Sequence, residues 1–385
     1  MPPALTQPTT FQVRPVLSPG DSELFLDVPK LVYANDPNWV PPIRSSVAKN
    51  FKPDNPFLQY GRLQQFIATR LGSNGTEAIG RIVAAVNDRL IEREGEKVGV
   101  FGFFECINDD AVGQSLLQAA TDWLRQQGMA RGRGPIDLST HNSCLFLVDG
   151  FDSPPYLMMP YNAAWYPALM EQTGWHKAKD AYAYMLDLSQ PLPIEFERAY
   201  RIAAKSGITF RPLHLKGDDF IADCTGLYNL FNKAFSNNWS STPRTLEEFL
   251  EEAKSLQDLV DTDIFVIAEY EAEMVGFFMA LPDYNPVLKR VNGKLDWLGI
   301  LKFLWYRRSI DTARVIAICS LPAYRRKLVP MAVIYLGMQG GVQRQKPYKC
   351  AELSWVYEDN MPSRKIIEAT GAQVYKTYRI YEKEL

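Results

Sequence analysis

The chain states one pattern twice. Glu77-Ala78-Ile79-Gly80-Arg81-Ile82-Val83-Ala84 is answered by Glu273-Met274-Val275-Gly276-Phe277-Phe278-Met279-Ala280, and Met170-Glu171-Gln172-Thr173-Gly174 by Ile367-Glu368-Ala369-Thr370-Gly371. Gly80 and Gly174 are 94 residues apart, Gly276 and Gly371 are 95. An asparagine precedes the second match in each copy: Asn162 lies 12 residues before Gly174, and Asn360 lies 11 before Gly371. Two weak matches at one shared offset imply two copies of one unit. A length of 385 residues agrees with this, at roughly 150 residues per domain.

Composition removes several function classes. The net charge is −2, which offers no broad basic face, so no nucleic-acid partner is expected. The five cysteines, Cys106, Cys144, Cys224, Cys319 and Cys350, are scattered without a C-x-x-C pair, which argues against a disulfide framework or a structural zinc site. A reducing cytoplasm is the expected compartment. The N-terminus shows no signal-peptide pattern, and no apolar run approaches the ~20 residues of a membrane span. The three histidines, His141, His176 and His214, lack metal-ligand spacing, so no metal is expected.

Periodicity places a strand at Phe11–Val16 and a helix over Ser22–Ala34 capped by Asp21 or Ser22. Strands follow at Gln65–Arg70, Ala78–Val86 and Gly99–Glu105, then an amphipathic helix from Gly113 to Gln127. A strand near Gly134–Leu138, a helix over Ala163–Thr173 and a strand at Ala181–Leu188 complete the first unit. Ser189-Gln190-Pro191-Leu192-Pro193 reads as the linker. After helix Ile194–Lys205 the second unit repeats the order: strand Thr209–Pro212; helices Cys224–Ala234 and Leu246–Leu256; a hairpin of Ile264–Tyr270 and Met274–Leu281; strand Val315–Ser320; helix Pro330–Gly341; strand Ala351–Val356; helix Met361–Thr370; and a closing strand region, Ala372–Tyr381. The fold class is α/β, a mixed sheet crossed by helices, with units at 1–190 and 191–385.

This order resembles the GNAT-type N-acetyltransferase superfamily, as a tandem pair covering nearly the whole chain. In that family, the strand before the central helix pairs with pantetheine. The loop after it, Arg/Gln-x-x-Gly-x-Gly/Ala, opens a helix that holds the pyrophosphate, because free N–H groups and the positive helix end stabilise phosphate. Here that loop is Leu321-Pro322-Ala323-Tyr324-Arg325-Arg326-Lys327-Leu328-Val329-Pro330, cationic in the right place but with Leu328 and Pro330 at the glycine positions. Asn360, Ser363 and Gly371 keep the spacing of the later helix, and Ile367 replaces its usual tyrosine acid. In the first unit the loop is Asn108-Asp109-Asp110-Ala111-Val112-Gly113, whose aspartates suit a helix cap and would repel a pyrophosphate. That unit is expected to keep the fold without a CoA site.

The resemblance implies acyl-CoA-dependent acyl transfer, most simply N-acetyl transfer from acetyl-CoA or another acyl-CoA, by direct attack of a small-molecule or peptide amine on the thioester. The cofactor-binding candidates are Ile316, Ile318, Arg325, Arg326, Lys327, Leu328, Val329 and Asn360, with a backbone N–H near Ile318 polarising the thioester carbonyl. Glu352 and Glu358 are candidate bases, and Tyr378, with Tyr375 and Tyr381 beside it, is a candidate acid or acceptor contact. Two other readings share the fold: an aminoacyl or peptidyl transferase, and a binding protein without catalysis. Two segments lie outside the motifs. Asn142–Pro160 is long for a structureless loop and reads as a bridge or a cleft cover. Leu298–Arg308 mixes apolar and basic residues and reads as a lid, a membrane-touching helix or, most simply, a helix packed over the domain interface.

Overall fold

The computed structural model describes residues 10–72, 75–235 and 239–385. One sheet of 13 strands runs through the molecule. The first half supplies β1 (Phe11–Pro15), β2 (Gly61–Gly72), β3 (Gly75–Asn87), β4 (Val98–Cys106), β5 (Arg131–Gly134), β6 (Phe146–Asp149) and β7 (His176–Asp187). The second supplies β8 (Thr209–Arg211), β9 (Phe265–Tyr270), β10 (Glu273–Pro282), β11 (Thr312–Ser320), β12 (Cys350–Tyr357) and β13 (Gln373–Glu384).

Their spatial order is β1-β2-β3-β4-β5-β13-β7-β12-β11-β10-β9-β8, with β6 pairing off this path to β13. Read from either end, the order is the same if each strand of one half is exchanged for its counterpart in the other. The consequence lies at the centre. β13, which closes the second half, pairs with β5 of the first; β7, which closes the first half, pairs with β12 of the second; and β7 and β13 pair with each other, antiparallel. Each half thus lends its last strand to the other's sheet.

The repeated glycines have physical roles that match across the halves. A Cβ on Gly80 would lie 2.6 Å from Leu116 Cδ1, and one on Gly276 would lie 2.7 Å from Val329 Cγ1. Each glycine therefore lets the central helix of its half press onto the sheet. Gly174 and Gly371 both adopt positive φ, +80° and +94°, just beyond a helix, where a side chain would be strained.

The helices used below are α1 (Pro19–Val32), α2 (Asp110–Gln126), α3 (Tyr166–Gln172), α4 (Ile194–Lys205), α5 (Trp297–Tyr306), α6 (Val329–Gln343) and α7 (Met361–Glu368). α1 starts earlier than its periodicity suggests. Ser18 caps it in a reciprocal pair with Asp21, and Pro19 takes the first turn, where its missing N–H costs nothing. α4 begins and ends where the proline-rich linker before it and Ser206-Gly207 after it place it. The 142–160 segment is no free loop. Lys376 Nζ donates to the carbonyls of Gly150 (2.5 Å) and Ser153 (2.8 Å), Asn285 Nδ2 donates to Pro155 O (2.8 Å), and Leu157 N donates to Asp283 Oδ1 (2.8 Å). The segment bridges the halves, as its length suggests.

Candidate functional site: the fork between two parallel strands

β11 and β12 run parallel, but their register holds only from Thr312↔Cys350 to Val315↔Leu353. Beyond that rung β11 continues to Ser320 and β12 to Tyr357 without pairing, so the two strands form a fork. Irregularities on both arms mark its vertex. Against β10, β11 carries one extra residue, Ile316, between Val315 and Ala317. Against β7, β12 carries an extra residue between Leu353 and Val356. Bulges of this kind bend a strand and re-aim its backbone groups.

A buried polar cluster sits at the vertex. Arg314 Nε donates to Ser354 Oγ (3.0 Å), Nη2 to Ser354 O (3.2 Å) and Nη1 to Leu157 O (2.8 Å), so one guanidinium ties both arms of the fork to the bridging segment. Glu352 is 0% exposed and lies 3.7 Å from Arg314 Nε. The Ser354 and Tyr375 hydroxyls both donate to its carboxylate. Burial pushes the Glu352 carboxyl above its usual range, against the pull of Arg314 and the two hydroxyls. Nearby, the Tyr378 hydroxyl is buried with no hydrogen-bond partner among the described residues, and burial raises its pKa well above that of an ordinary tyrosine.

The arm of the fork formed by β11 leads to the mouth of α6. A short helical turn, Pro322–Arg325, precedes it, and Arg325 and Arg326 are exposed there. Lys327 Nζ lies 3.8 Å from the Tyr270 ring centroid. Leu328 occupies the cap position of α6 in the left-handed conformation (φ 60°, ψ 21°), and no side chain caps the helix. Val329, the first residue of α6, is fully buried, and its side chain packs in the core beneath the sheet-facing side of the helix. The corresponding mouth in the first half is closed. Asp109 caps α2 by accepting from Ala111 N (2.9 Å) and Val112 N (3.4 Å), and Asp110 adds a second negative charge to the first turn. In the first half β4 and β5 likewise pair only from Val98↔Arg131 to Val100↔Arg133, but Ile136 N then donates to Phe101 O (2.7 Å) and Phe103 N to Asp137 Oδ1 (2.6 Å), so the two segments stay tied beyond the last rung.

No family model matches the chain. Protein YghO of Escherichia coli (strain K12) is 31% identical to it over 381 residues, covering 97% of this chain and 95% of that protein. The bacterial ceramide synthase of Caulobacter vibrioides (strain NA1000 / CB15N) is 32% identical over 384 residues, covering 97% and 98%. This chain belongs to the family of those two proteins. Among solved structures, a tandem GNAT protein from the clavulanic acid biosynthesis pathway superposes with a TM-score of 0.58 at 12% identity, covering 97% of this chain and 98% of its own. A GCN5-related N-acetyltransferase from Sphaerobacter thermophilus gives a TM-score of 0.53 at 15% identity, covering 98% and 97%. The family member described here therefore has the tandem GNAT-type fold.

Within that fold the residues singled out from sequence separate. Ile316 is the bulged residue and packs against the cluster of Leu157, Leu281 and Tyr284. Ile318 packs on the opposite face, with the core around α6. Glu358 does not reach the fork. Its carboxylate takes Lys177 Nζ (2.7 Å) and Asp180 N (3.1 Å), clamping the end of β12 to β7. Asn360 is likewise engaged, because its side chain caps α7 by accepting from Ser363 N (3.3 Å). Asn162, its counterpart in the repeat, instead brackets Leu147, accepting from its N–H (2.6 Å) and donating to its carbonyl (3.2 Å). Arg314 and Ser354 were not legible as site residues, since each reads as an unremarkable polar position in a strand.

Asp283 anchors the same region and makes it sensitive to pH. It is buried, and burial raises its pKa from 3.8 to about 7 despite hydrogen bonds from Leu157 N and Asn285 N. A carboxyl whose folded pKa is raised stabilises the fold fully below its unfolded pKa, and that contribution is lost as pH rises through about 7. Asp283→Asn keeps an oxygen acceptor and removes the titration. Urea unfolding of both proteins is expected to show wild type losing on the order of 3 kcal/mol relative to the variant between about pH 5 and pH 8. A difference that does not change with pH would contradict the shift.

Proposed function

We propose that the protein is an acyl-CoA-dependent N-acyltransferase working at the β11–β12 fork, with the first half, 1–190, serving as scaffold and the second, 191–385, holding the donor. The observation that carries this reading is the asymmetry between the two helix mouths. Asp109 caps α2, whereas α6 starts without a side-chain cap and with cations before it. The residues suit a CoA diphosphate: Arg325 and Arg326 supply charge, and the first turn of α6 supplies backbone donors. Leu328 and Pro330 make the approach tighter than glycines would, while the left-handed turn at Leu328 keeps the backbone path that a glycine favours.

The relatedness to a bacterial ceramide synthase supports a more specific assignment. A ceramide is the amide of a fatty acid and a long-chain amino alcohol, so the acceptor on this reading is the primary amine of such a molecule, and the donor is a long-chain acyl-CoA in preference to acetyl-CoA. The C–N bond forms as the C–S bond breaks. One amine proton passes through the Tyr375 hydroxyl to Glu352, whose carboxylate burial makes a stronger proton acceptor than an exposed one. Tyr378, kept protonated by burial, is the hydroxyl available to the departing thiolate. Backbone N–H groups from Ile316 to Ile318, on the unpaired arm of the fork, face the thioester carbonyl. Arg314 holds both arms at the reacting distance.

Incubation with a long-chain acyl-CoA and a long-chain amino alcohol tests this, with free thiol and amide product as the readouts. Wild type is expected to release thiol in step with amide. Glu352→Gln is expected to lose about 10²-fold or more in kcat, the range of a general base, while still binding the donor. Thiol release no faster than in buffer would remove the proposal.

A further inference from the structure

The insertion between β10 and β11 carries a surface that the acyl-transfer reading does not use. α5 reads Trp297-Leu298-Gly299-Ile300-Leu301-Lys302-Phe303-Leu304-Trp305-Tyr306. One of its faces packs on a cluster that both halves supply, Leu157, Leu281 and Tyr284, and the other is open. Trp297 and Trp305 are each 70% exposed, Leu301 is 57% exposed, and Leu298, Ile300 and Leu304 are exposed beside them. At about 100° per residue these six side chains fall within an arc of about 160° on one face. The opposite face does the packing: Gly299 is buried, and the Phe303 ring stacks on Tyr284 at 5.4 Å. The helix is therefore held to the body by one side and presents a continuous apolar stripe on the other.

The charge around this stripe is one-sided. From Asn285 to Ile310 the chain carries Lys289, Arg290, Lys294, Lys302, Arg307 and Arg308 against Asp296, and Asp296 is spent capping the helix through Gly299 N (2.8 Å). Lys294, Lys302, Arg307 and Arg308 are exposed, and among the described residues none has a carboxylate within ion-pair distance. Beyond the C-terminal end of α5, a cleft of about 470 Å³ is lined by Arg307, Arg308, Arg344 and Lys346, with Asp261 as its one acidic residue. No described helix is long and apolar enough to cross a membrane. Ten residues of helix cover only about 15 Å, half the hydrocarbon thickness of a bilayer.

We infer that α5 is an interfacial helix that docks the protein onto an anionic lipid bilayer. The apolar stripe enters the boundary between headgroups and acyl chains, a tryptophan sits at each end of the stripe at the depth aromatic side chains favour, and the flanking cations and basic cleft face lipid phosphates. A protein groove would bury the stripe equally well, but it would not call for unpaired cations at both ends and along the side of the helix. Docking would also place the fork beside the membrane. Phe303 and Ile316 pack against the same cluster of Leu157, Leu281 and Tyr284, so one apolar path runs from the docked helix to the bulge at the vertex. The inference rests on α5 and its charges alone and stands whether or not the fork transfers an acyl group.

Flotation of the full-length protein with vesicles tests it, comparing pure phosphatidylcholine with an equal mixture of phosphatidylcholine and phosphatidylglycerol. Wild type is expected to float with the anionic vesicles and to be released by high salt. Combining Trp297→Gln, Leu301→Gln and Trp305→Gln is expected to weaken vesicle binding by about tenfold or more with an unchanged thermal midpoint, because these side chains are already in water. Combining Lys302→Gln, Arg307→Gln and Arg308→Gln is expected to abolish the preference for anionic vesicles. Wild type that stays with the unbound fraction, binding that the Trp/Leu variant leaves intact, or equal binding to both vesicle types would overturn the inference. So would a wild-type dimer in size-exclusion chromatography that the Trp/Leu variant converts to monomer, which would assign the stripe to a second copy.

Discussion

Arg314→Leu is expected to destabilise the protein by about 3–5 kcal/mol, more than any other single substitution at the fork, because it strands a carboxylate with no access to water. Glu352 is fully buried, and Arg314 is its cationic neighbour. The two hydroxyls on Glu352 soften the loss without neutralising the charge. The substitution also removes the donor to Leu157 O and both donors to Ser354, so the bridging segment and the two arms of the fork lose their common tie. Arg314→Lys keeps the charge but not the planar set of three donors, and it is expected to fall between the leucine variant and wild type. The control is the double variant Arg314→Met/Glu352→Gln. With both charges of the pair gone neither is left buried without the other, and Lys376, which also faces Glu352, keeps its hydrogen bonds to Gly150 O and Ser153 O, so much of the lost stability is expected to return. Urea midpoints of the four proteins settle the matter. A leucine variant as stable as wild type, or a double variant no better than the leucine variant alone, would contradict the description of this cluster.

Leu328→Asp is the second large effect, and it concerns the ligand more than the fold. The substitution transplants into the second half the feature that closes the first: a carboxylate at the cap position of the central helix, as Asp109 provides for α2. Aspartate tolerates the left-handed backbone at this position better than leucine, so stability is expected to hold or rise. Binding of an acyl-CoA is expected to fall at least about 100-fold, since the new charge sits at the helix mouth and repels the diphosphate. Arg325→Ala/Arg326→Ala is expected to weaken binding by about tenfold, because exposed cations contribute through screened attraction. Leu328→Gly moves the other way, relieving the strained backbone and opening the approach. Unchanged acyl-CoA affinity in the aspartate variant would place the donor elsewhere.

Much of the architecture was legible because its signals are local. The glycine pairs Gly80/Gly276 and Gly174/Gly371 mark close approach and helix termination, and both needs write themselves into sequence. The bounds of α4 followed from the proline-rich linker before it and Ser206-Gly207 after it. The exchange of β7 and β13 was not legible, because strand neighbours are chosen by the tertiary assembly and each closing strand reads alike whichever partner it takes. The site divided in the same way. The cationic run before α6 was legible as a charge pattern at a helix start, while Arg314 and Ser354 owe their importance to a rung where pairing ends, which no single segment encodes. Glu352 was singled out, but its burial was not foreseen, and Glu358 and Asn360 read as free functional groups although one is a clamp and the other a cap. α5 was legible on its packed side, where Phe303 sits on a cluster from both halves, but an apolar helix inside a compact chain ordinarily buries its other side too, and here that side faces outward.

Calorimetric titration of the full-length protein with a long-chain acyl-CoA, below the concentration at which the donor forms micelles, tests the central claim most directly. One site per chain is expected in wild type, from the open mouth of α6 and the closed mouth of α2, and no saturable binding in Leu328→Asp. Two sites per chain, no binding by wild type, or one site that the aspartate variant leaves intact would contradict it.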